Sequence, residues 1–98
     1  VDRRARGAFA QAFGEAARLE PGNEDYRVDH AAMLLSSGDA KGSVAAFGSA
    51  VRDFPKSARV RLGLGSALFV EGQYEAAAAA LYQAFKTEDL EKTLNSLL

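Results

Sequence analysis

Cysteine is absent from this 98-residue chain, and histidine occurs only once. A disulfide framework and a thiolate metal site are therefore excluded, and one histidine cannot build the usual histidine-rich zinc site. We expect neither a metal nor another cofactor. Only two prolines are present while 48% of the residues are apolar, a composition typical of a folded chain. The lack of cysteine is compatible with the cytoplasm, the periplasm or the outside, so the compartment stays open.

An excess of either charge is also missing. Twelve lysines and arginines face 13 aspartates and glutamates, which leaves a formal net charge of −1. Nucleic-acid-binding domains usually carry a strong basic excess, so we expect no nucleic-acid partner. The longest apolar stretch, residues 62–70, is far below the roughly 18 residues that suggest a membrane span. We therefore expect no insertion into a membrane.

A repeat of 34 residues runs through the chain. When the chain is shifted by this step, small residues align with small residues, large apolar residues with large apolar ones, and glycine with glycine. Agreement across so many positions at one offset indicates an internal repeat. The aligned sets are Ala16, Ala50 and Ala84; Phe13, Phe47 and Leu81; Pro21, Pro55 and Asp89; Val28 and Leu62; and Gly38 and Gly72.

Apolar residues within each unit recur at three- and four-residue steps, which predicts amphipathic helices over 26–37, 40–54, 59–70 and 74–85. Small side chains at Gly65 and Ala84 would let neighbouring helices approach closely. One such helix pair cannot bury its apolar face alone. We therefore expect successive pairs to stack into one continuous core.

Glycine and proline mark the ends of these helices. Gly38 and Gly72 are expected to end the first helix of a pair, because glycine accepts the left-handed backbone of a helix C-terminus. Pro21 and Pro55 are expected to end the second helix, since proline has no N–H and disfavours helix in the preceding residue. Asp39 is a suitable N-cap for the helix that follows Gly38, and Ser57 for the one after Pro55.

These residues resemble the tetratricopeptide repeat family, whose 34-residue unit carries W-x2-L-G-x2-Y, then A-x3-F, then P. One matching unit begins at Ala58 and another runs from Glu24 to Ser57. The matches in the first are Leu64, Gly65, Leu68, Gly72, Tyr74, Ala77, Leu81 and Ala84. Those in the second are Ala31, Leu34, Gly38, Phe47, Ala50 and Pro55.

The resemblance implies an all-α fold in which antiparallel helix pairs form a right-handed superhelical solenoid. We expect a single domain, residues 1–98, with about two and a half repeats and a C-terminal helix. Residues 1–23 would be the second helix of a partial repeat, and 24–57 and 58–89 two repeats. Residues 90–98 would form a capping helix or begin the next repeat. The chain lacks an initial Met and begins inside the pattern, so we expect an excerpt of a longer protein.

The chain departs from the family pattern at several positions. Arg27 and Arg61 stand where an aromatic residue is expected, His30 replaces a leucine, Ser43 replaces an alanine, and Asp89 replaces the final proline. We interpret His30 as a half-buried core residue. A catalytic Ser36–His30–Asp29 set can be written on paper, but no strained nucleophile turn accompanies it. The chain is therefore not expected to be an enzyme.

In this family the first helix of each pair lines a concave groove that holds a segment of a partner protein. The basic residues that some members use to clamp a carboxylate are mostly absent here, because only Arg59 fits. Carried over by position, the groove residues are Asp25, Val28, Asp29, Ala32, Leu35, Arg59, Leu62, Ser66 and Phe69, with Ser36, Gly63 and Val70 beside them.

The groove set is largely apolar, so we predict an interaction module that binds an apolar or amphipathic segment of a protein partner. The opposite interpretation is that Val28, Leu35, Leu62 and Phe69 belong to the core under a neighbouring helix. Two other roles stay open. The first is self-association, since exposed repeat ends would favour a homo-oligomer. The second is that the chain is an accessory segment of a larger enzyme or secretion complex. The alanine-rich composition, with arginine preferred to lysine, is typical of bacterial proteins.

Overall fold

The computed structural model describes residues 2–97, and within them the chain forms five helices and no strand. The helices are α1 (Arg3–Leu19), α2 (Glu24–Ser36), α3 (Ala40–Asp53), α4 (Ala58–Val70) and α5 (Tyr74–Leu97). The all-α prediction is confirmed, and the predicted helices lie within about two residues of the observed ones, apart from the end of α5. None of the described helices combines the length and apolarity that crossing a membrane requires.

Side-chain caps set the beginnings of four helices. Asp39 Oδ1 accepts a hydrogen bond from the Gly42 N–H at 2.8 Å, and Ser57 Oγ accepts one from the Val60 N–H at 3.2 Å, as predicted. Asp2 and Asn23 cap α1 and α2 in the same way. Each cap satisfies a backbone donor that the first helical turn leaves without an intrahelical acceptor.

The two helix-ending glycines adopt the left-handed backbone. Gly38 has φ of 99° and Gly72 has φ of 85°. The next residue closes each turn, because the Asp39 N–H donates to the Leu34 carbonyl, as the Gln73 N–H does to that of Leu68, both at 2.9 Å. These bonds satisfy carbonyl groups at the C-terminus of the first helix and turn the chain back into the second.

The predicted C-terminal helix is continuous with the second helix of the last repeat. Helix α5 begins at Tyr74 and continues to Leu97 without a break at Asp89, which occupies the register position of Pro21 and Pro55. Helices α1 and α3 each end two residues before their proline. Aspartate keeps its N–H and has no ring to clash with the preceding turn, so the helix continues. Val1 and Leu98, the outermost residues of the predicted terminal segments, lie outside the described part.

The core lies where α2, α3 and α4 meet. Apart from the Phe47 ring, its enclosed members are small or medium in size, which lets the helix backbones come close together. They are Ala31, Phe47, Ala50, Val60 and Ala67, and partly buried apolar residues such as Val28, Leu35, Val44 and Leu64 pack around them. The buried Ser43 hydroxyl donates to the Ala31 carbonyl at 2.7 Å, so this departure from the family pattern leaves its buried oxygen bonded.

Arg27 and Arg61 form equivalent hydrogen bonds in the two repeats. The Arg27 guanidinium donates to the Pro21 carbonyl at 2.8 Å, and that of Arg61 donates to the Pro55 carbonyl at 2.9 Å. Arg27 also lies 5.6 Å above the Phe54 ring centroid. Both arginines thus hold the loop before their own helix, which is a local reason for arginine at a position where an aromatic residue was expected.

Candidate functional site

The first helices of the two complete pairs lie on the inner side of the array. The backbones of α2 and α4 come within 8 Å of one another, whereas those of α1, α3 and α5 do not among the described residues. Because elements on the inside of a curve are closer together than those on the outside, α2 and α4 line its concave face. That these first helices form a groove for a partner stays a prediction.

A cavity of about 400 Å³ opens on this face between α2, α3 and α4. We call it the groove cavity. It is almost entirely apolar, and six of the nine predicted groove residues contribute to its wall: Val28, Ala32, Leu35, Arg59, Leu62 and Ser66, together with Ser36, Phe47 and Gly63. Asp25, Asp29 and Phe69 lie outside the lining of this cavity.

Large apolar side chains remain open to solvent beside the groove cavity. Leu62 is 54% exposed and Phe69 is 60% exposed, so more than half of each residue remains in contact with solvent. Phe69 packs edge to face on the equally exposed Tyr74, with 5.3 Å between the ring centroids. Val28 and Leu35 are partly buried. The four residues for which groove and core were the opposing interpretations therefore differ in exposure. The two on α4, Leu62 and Phe69, are exposed, and the two on α2, Val28 and Leu35, are partly buried.

Phe47 closes the bottom of the groove cavity, a role that the sequence pattern did not reveal. Its side chain is 3% exposed and belongs to the core, yet the ring also faces the cavity beside Gly63. A Cβ on Gly63 would lie 2.8 Å from Cδ1 of that ring. Glycine at 63 thus leaves the space that the Phe47 ring occupies. A glycine inside the helix predicted over 59–70 was the signal available in the sequence.

Arg59 is held by two carboxylates from the preceding repeat. Its Nη2 atom donates to Glu24 Oε2 at 2.7 Å and to Asp25 Oδ1 at 2.8 Å. These hydrogen bonds, Asp25 first and then Glu24, raise the pKa of Arg59 above its ordinary value. The guanidinium links α2 to α4 at the rim of the groove cavity, and the carboxylates of Glu24 and Asp25 neutralise its positive charge.

His30 points away from the groove. A Cβ on Gly14 would lie 3.1 Å from the His30 Nε2 atom, so the ring packs on the backbone of α1. Partial burial, and next the charge of Arg27, lower the pKa of His30. Ser36 instead lines the groove cavity, so the structure does not bring Ser36 and His30 together as a catalytic set would require. Within residues 2–97, no three His, Cys, Asp or Glu side chains are grouped so as to hold a metal ion.

A second apolar surface lies at the α5 side of the array. A cavity of about 510 Å³ is lined there by apolar residues of α4 and α5, among them Leu62, Leu81, Ala84 and Phe85, and by the charged residues Arg59, Glu88 and Glu91. We call it the end face. Leu81 is 37% exposed and Phe85 is 66% exposed, whereas Phe47, the equivalent of Leu81 one repeat earlier, is enclosed. Helix α4 covers the earlier pair, and no described element covers the later one in the same way.

Antiparallel helix pairs that stack with a 34-residue step and line a concave face with their first helices define a helical repeat protein. The family model for the tetratricopeptide repeat matches residues 28–89, more than half of the chain. The chain therefore belongs to the tetratricopeptide repeat family, whose members typically mediate protein–protein interaction and are typically not enzymes. Among curated proteins, none matches the chain.

Proposed function

We propose that this chain is a non-enzymatic interaction module whose groove cavity receives an apolar or amphipathic segment of a partner protein. The observation that carries the proposal is the exposure of two residues of α4. Leu62 lines an apolar cavity of about 400 Å³, Phe69 follows two helical turns later, and each is more than half open. Large exposed apolar side chains that border a concave apolar surface are typical of a binding site in a folded protein.

The expected energetics come from burial of apolar surface. A leucine or phenylalanine side chain that moves from water into an apolar cavity contributes about 1.5–3 kcal/mol. Phe47 and Gly63 form part of the wall within regular helices, so little ordering of the site is needed before a partner binds. Two large apolar side chains buried in this way would support specific binding of a short partner segment.

The test is a titration of the ¹⁵N-labelled chain with a leucine-containing amphipathic peptide of twelve residues. Amide shifts are expected at Ala32, Ser36 and Ser66, which line the groove cavity on both inner helices. The double variant Leu62→Asp/Phe69→Asp is expected to keep its helical spectrum, because both side chains are largely exposed, and to lose peptide binding.

The matched control is Leu19→Asp/Leu90→Asp, which changes two exposed leucines outside the groove cavity. It should bind the peptide like the parent chain. The proposal fails if the peptide perturbs only the outer helices, or if both double variants weaken binding equally. Unfolding of the Leu62/Phe69 variant alone would assign these residues to the core instead.

Self-association through the end face is the second candidate, favoured by the contrast between Leu81 and Phe47. The 34-residue step carries enclosed Phe47 to Leu81 and partly buried Val51 to Phe85, and both later residues are exposed. A second copy would remove them from water. Sedimentation at several concentrations tests this idea, with Phe85→Asp expected to abolish any dimer. A monomer at all concentrations would eliminate the candidate.

A further inference from the structure

We propose that the groove prefers an apolar segment flanked by a lysine or arginine, with the cation seated at the Asp25–Asp29 end of α2. The inference rests on the proposed function and specifies the partner's chemistry. It depends on three observations. The first is the position of the two aspartates relative to the groove cavity. The second is that Arg59, the one cation among the described residues that line this cavity, is already paired with carboxylates. The third is the distance along α2 between the aspartates and the apolar residues.

Asp25 and Asp29 share one stripe of α2 with residues that line the groove cavity. Positions 25, 29, 32 and 36 follow at three- and four-residue steps, so their side chains leave the helix on the same side. Ala32 and Ser36 are cavity residues. The two exposed aspartates therefore lie at the N-terminal end of the same concave strip.

The charge at this end of the strip is negative despite Arg59. Arg59 bonds Glu24 and Asp25 at once, and three carboxylates against one guanidinium leave two negative charges. Lys56 and Glu91 line the neighbouring cavity beside Glu24 and offset one another. Within the described residues, Asp29 forms no ion pair and its carboxylate accepts no hydrogen bond.

This arrangement disfavours an acidic partner and favours a basic one. A partner carboxylate would have to compete with Glu24 and Asp25 for Arg59 while facing Asp29 nearby. A partner ammonium or guanidinium would meet Asp25 and Asp29 without breaking the Arg59 pairs. Charges at the rim of an interface act mainly on specificity and on the association rate, and salt screens them.

The spacing of the two parts constrains the partner sequence. Asp29 and Leu35 are six residues apart on α2, which corresponds to about 9 Å along the helix axis. An extended segment covers that distance in about three residues. The expected motif in an extended partner is therefore a basic residue about three positions from a large apolar one.

Two labelled synthetic peptides of twelve residues test the preference. Both peptides contain the same stretch of leucine and alanine. Three positions before the first leucine, one peptide carries two lysines and the other carries two glutamates, and this is their only difference. Fluorescence anisotropy at 20 mM salt is expected to show that the lysine peptide binds about tenfold more tightly. At 300 mM salt the ratio should approach one, because the charges involved are exposed.

Variants of the chain locate the effect. Asp29→Asn removes one rim charge without touching an ion pair, and Asp25→Asn/Asp29→Asn removes both while Arg59 keeps Glu24. The ratio between the peptides is expected to fall in the single variant and to be nearly lost in the double variant. Glu20→Gln/Glu75→Gln removes two exposed charges outside the groove cavity and should leave the ratio unchanged.

The outcomes separate this inference from the proposed function. Equal affinity for both peptides, or tighter binding of the glutamate peptide, would overturn the charge preference while leaving an apolar groove in place. A preference that persists in the Asp25/Asp29 variant would overturn it as well. If neither peptide binds at either salt concentration, the proposed function fails together with the inference.

Discussion

The ring of Phe47 on α3 lies against the backbone of Gly63 on α4, so that one aromatic side chain joins the core to the groove cavity. This contact crosses from one repeat to the next. It is possible only because Gly63 has no Cβ. The same residue that lowers the helix propensity of α4 therefore permits the packing on which the floor of the cavity depends.

Gly63→Ala is predicted to destabilise the fold by about 1–3 kcal/mol, because the new methyl group would overlap the enclosed Phe47 ring. The matched control is Gly48→Ala on α3, where nothing lies within 4 Å of the added Cβ. That change should stabilise the protein by about 0.5–1 kcal/mol through helix propensity. Urea unfolding of both variants measures the difference. Equal shifts in the same direction would contradict the assigned contact.

Ser43 is predicted to tolerate alanine better than valine. The buried hydroxyl donates to the Ala31 carbonyl, so Ser43→Ala exchanges one hydrogen bond for better helix propensity, and the net change should stay within about 1 kcal/mol. Ser43→Val adds volume to a fully enclosed position and should cost about 1–3 kcal/mol. Thermal melting of the two variants decides. A valine variant as stable as the parent would show that space remains beside Ala31.

His30 is predicted to make the fold less stable as the pH falls from 7.5 to 5.5. Its pKa is lowered in the folded chain by burial and by Arg27, whereas in the unfolded chain it stays near the ordinary value of 6.5. Below that pH the unfolded state binds more protons, so the free energy of unfolding decreases.

The His30→Asn variant is expected to flatten this part of the pH profile, measured as the urea midpoint at several pH values. His30 is the only histidine in the sequence, so the assignment is direct. An unchanged slope in the variant would mean that other groups cause the pH dependence.

Asp89→Pro is predicted to shorten α5, because it restores at this register position the proline that follows α1 and α3. The ellipticity at 222 nm should decrease modestly. The melting temperature should change little, since Leu90, Leu94 and Leu97 are exposed and contribute little to the core. The control Asp89→Ala should keep the helix. Equal ellipticity of the two variants would contradict a continuous α5, and a large loss of stability would show that its end supports the core.

Local signals in the chain accounted for most of the helix boundaries. Asp39 and Ser57 cap the helices predicted to follow them, and Gly38 and Gly72 take the left-handed backbone. These effects depend on neighbouring residues, so they can be recognised without knowing the tertiary structure. The length of α5 was not predicted, because nothing in the sequence marks its continuation except that Asp89 replaces the proline found one repeat earlier.

The repeat, the pairing of helices and the family could all be predicted before any coordinates, because a 34-residue step and helical periodicity are properties of the linear chain. Three features could be seen only once the helices were packed: Phe47 forms part of the cavity wall, His30 faces α1, and Arg59 pairs with Glu24 and Asp25. The physical reason is that burial and pairing depend on which helix packs against which. A side chain on an amphipathic helix has a direction, but its neighbour comes from another part of the chain.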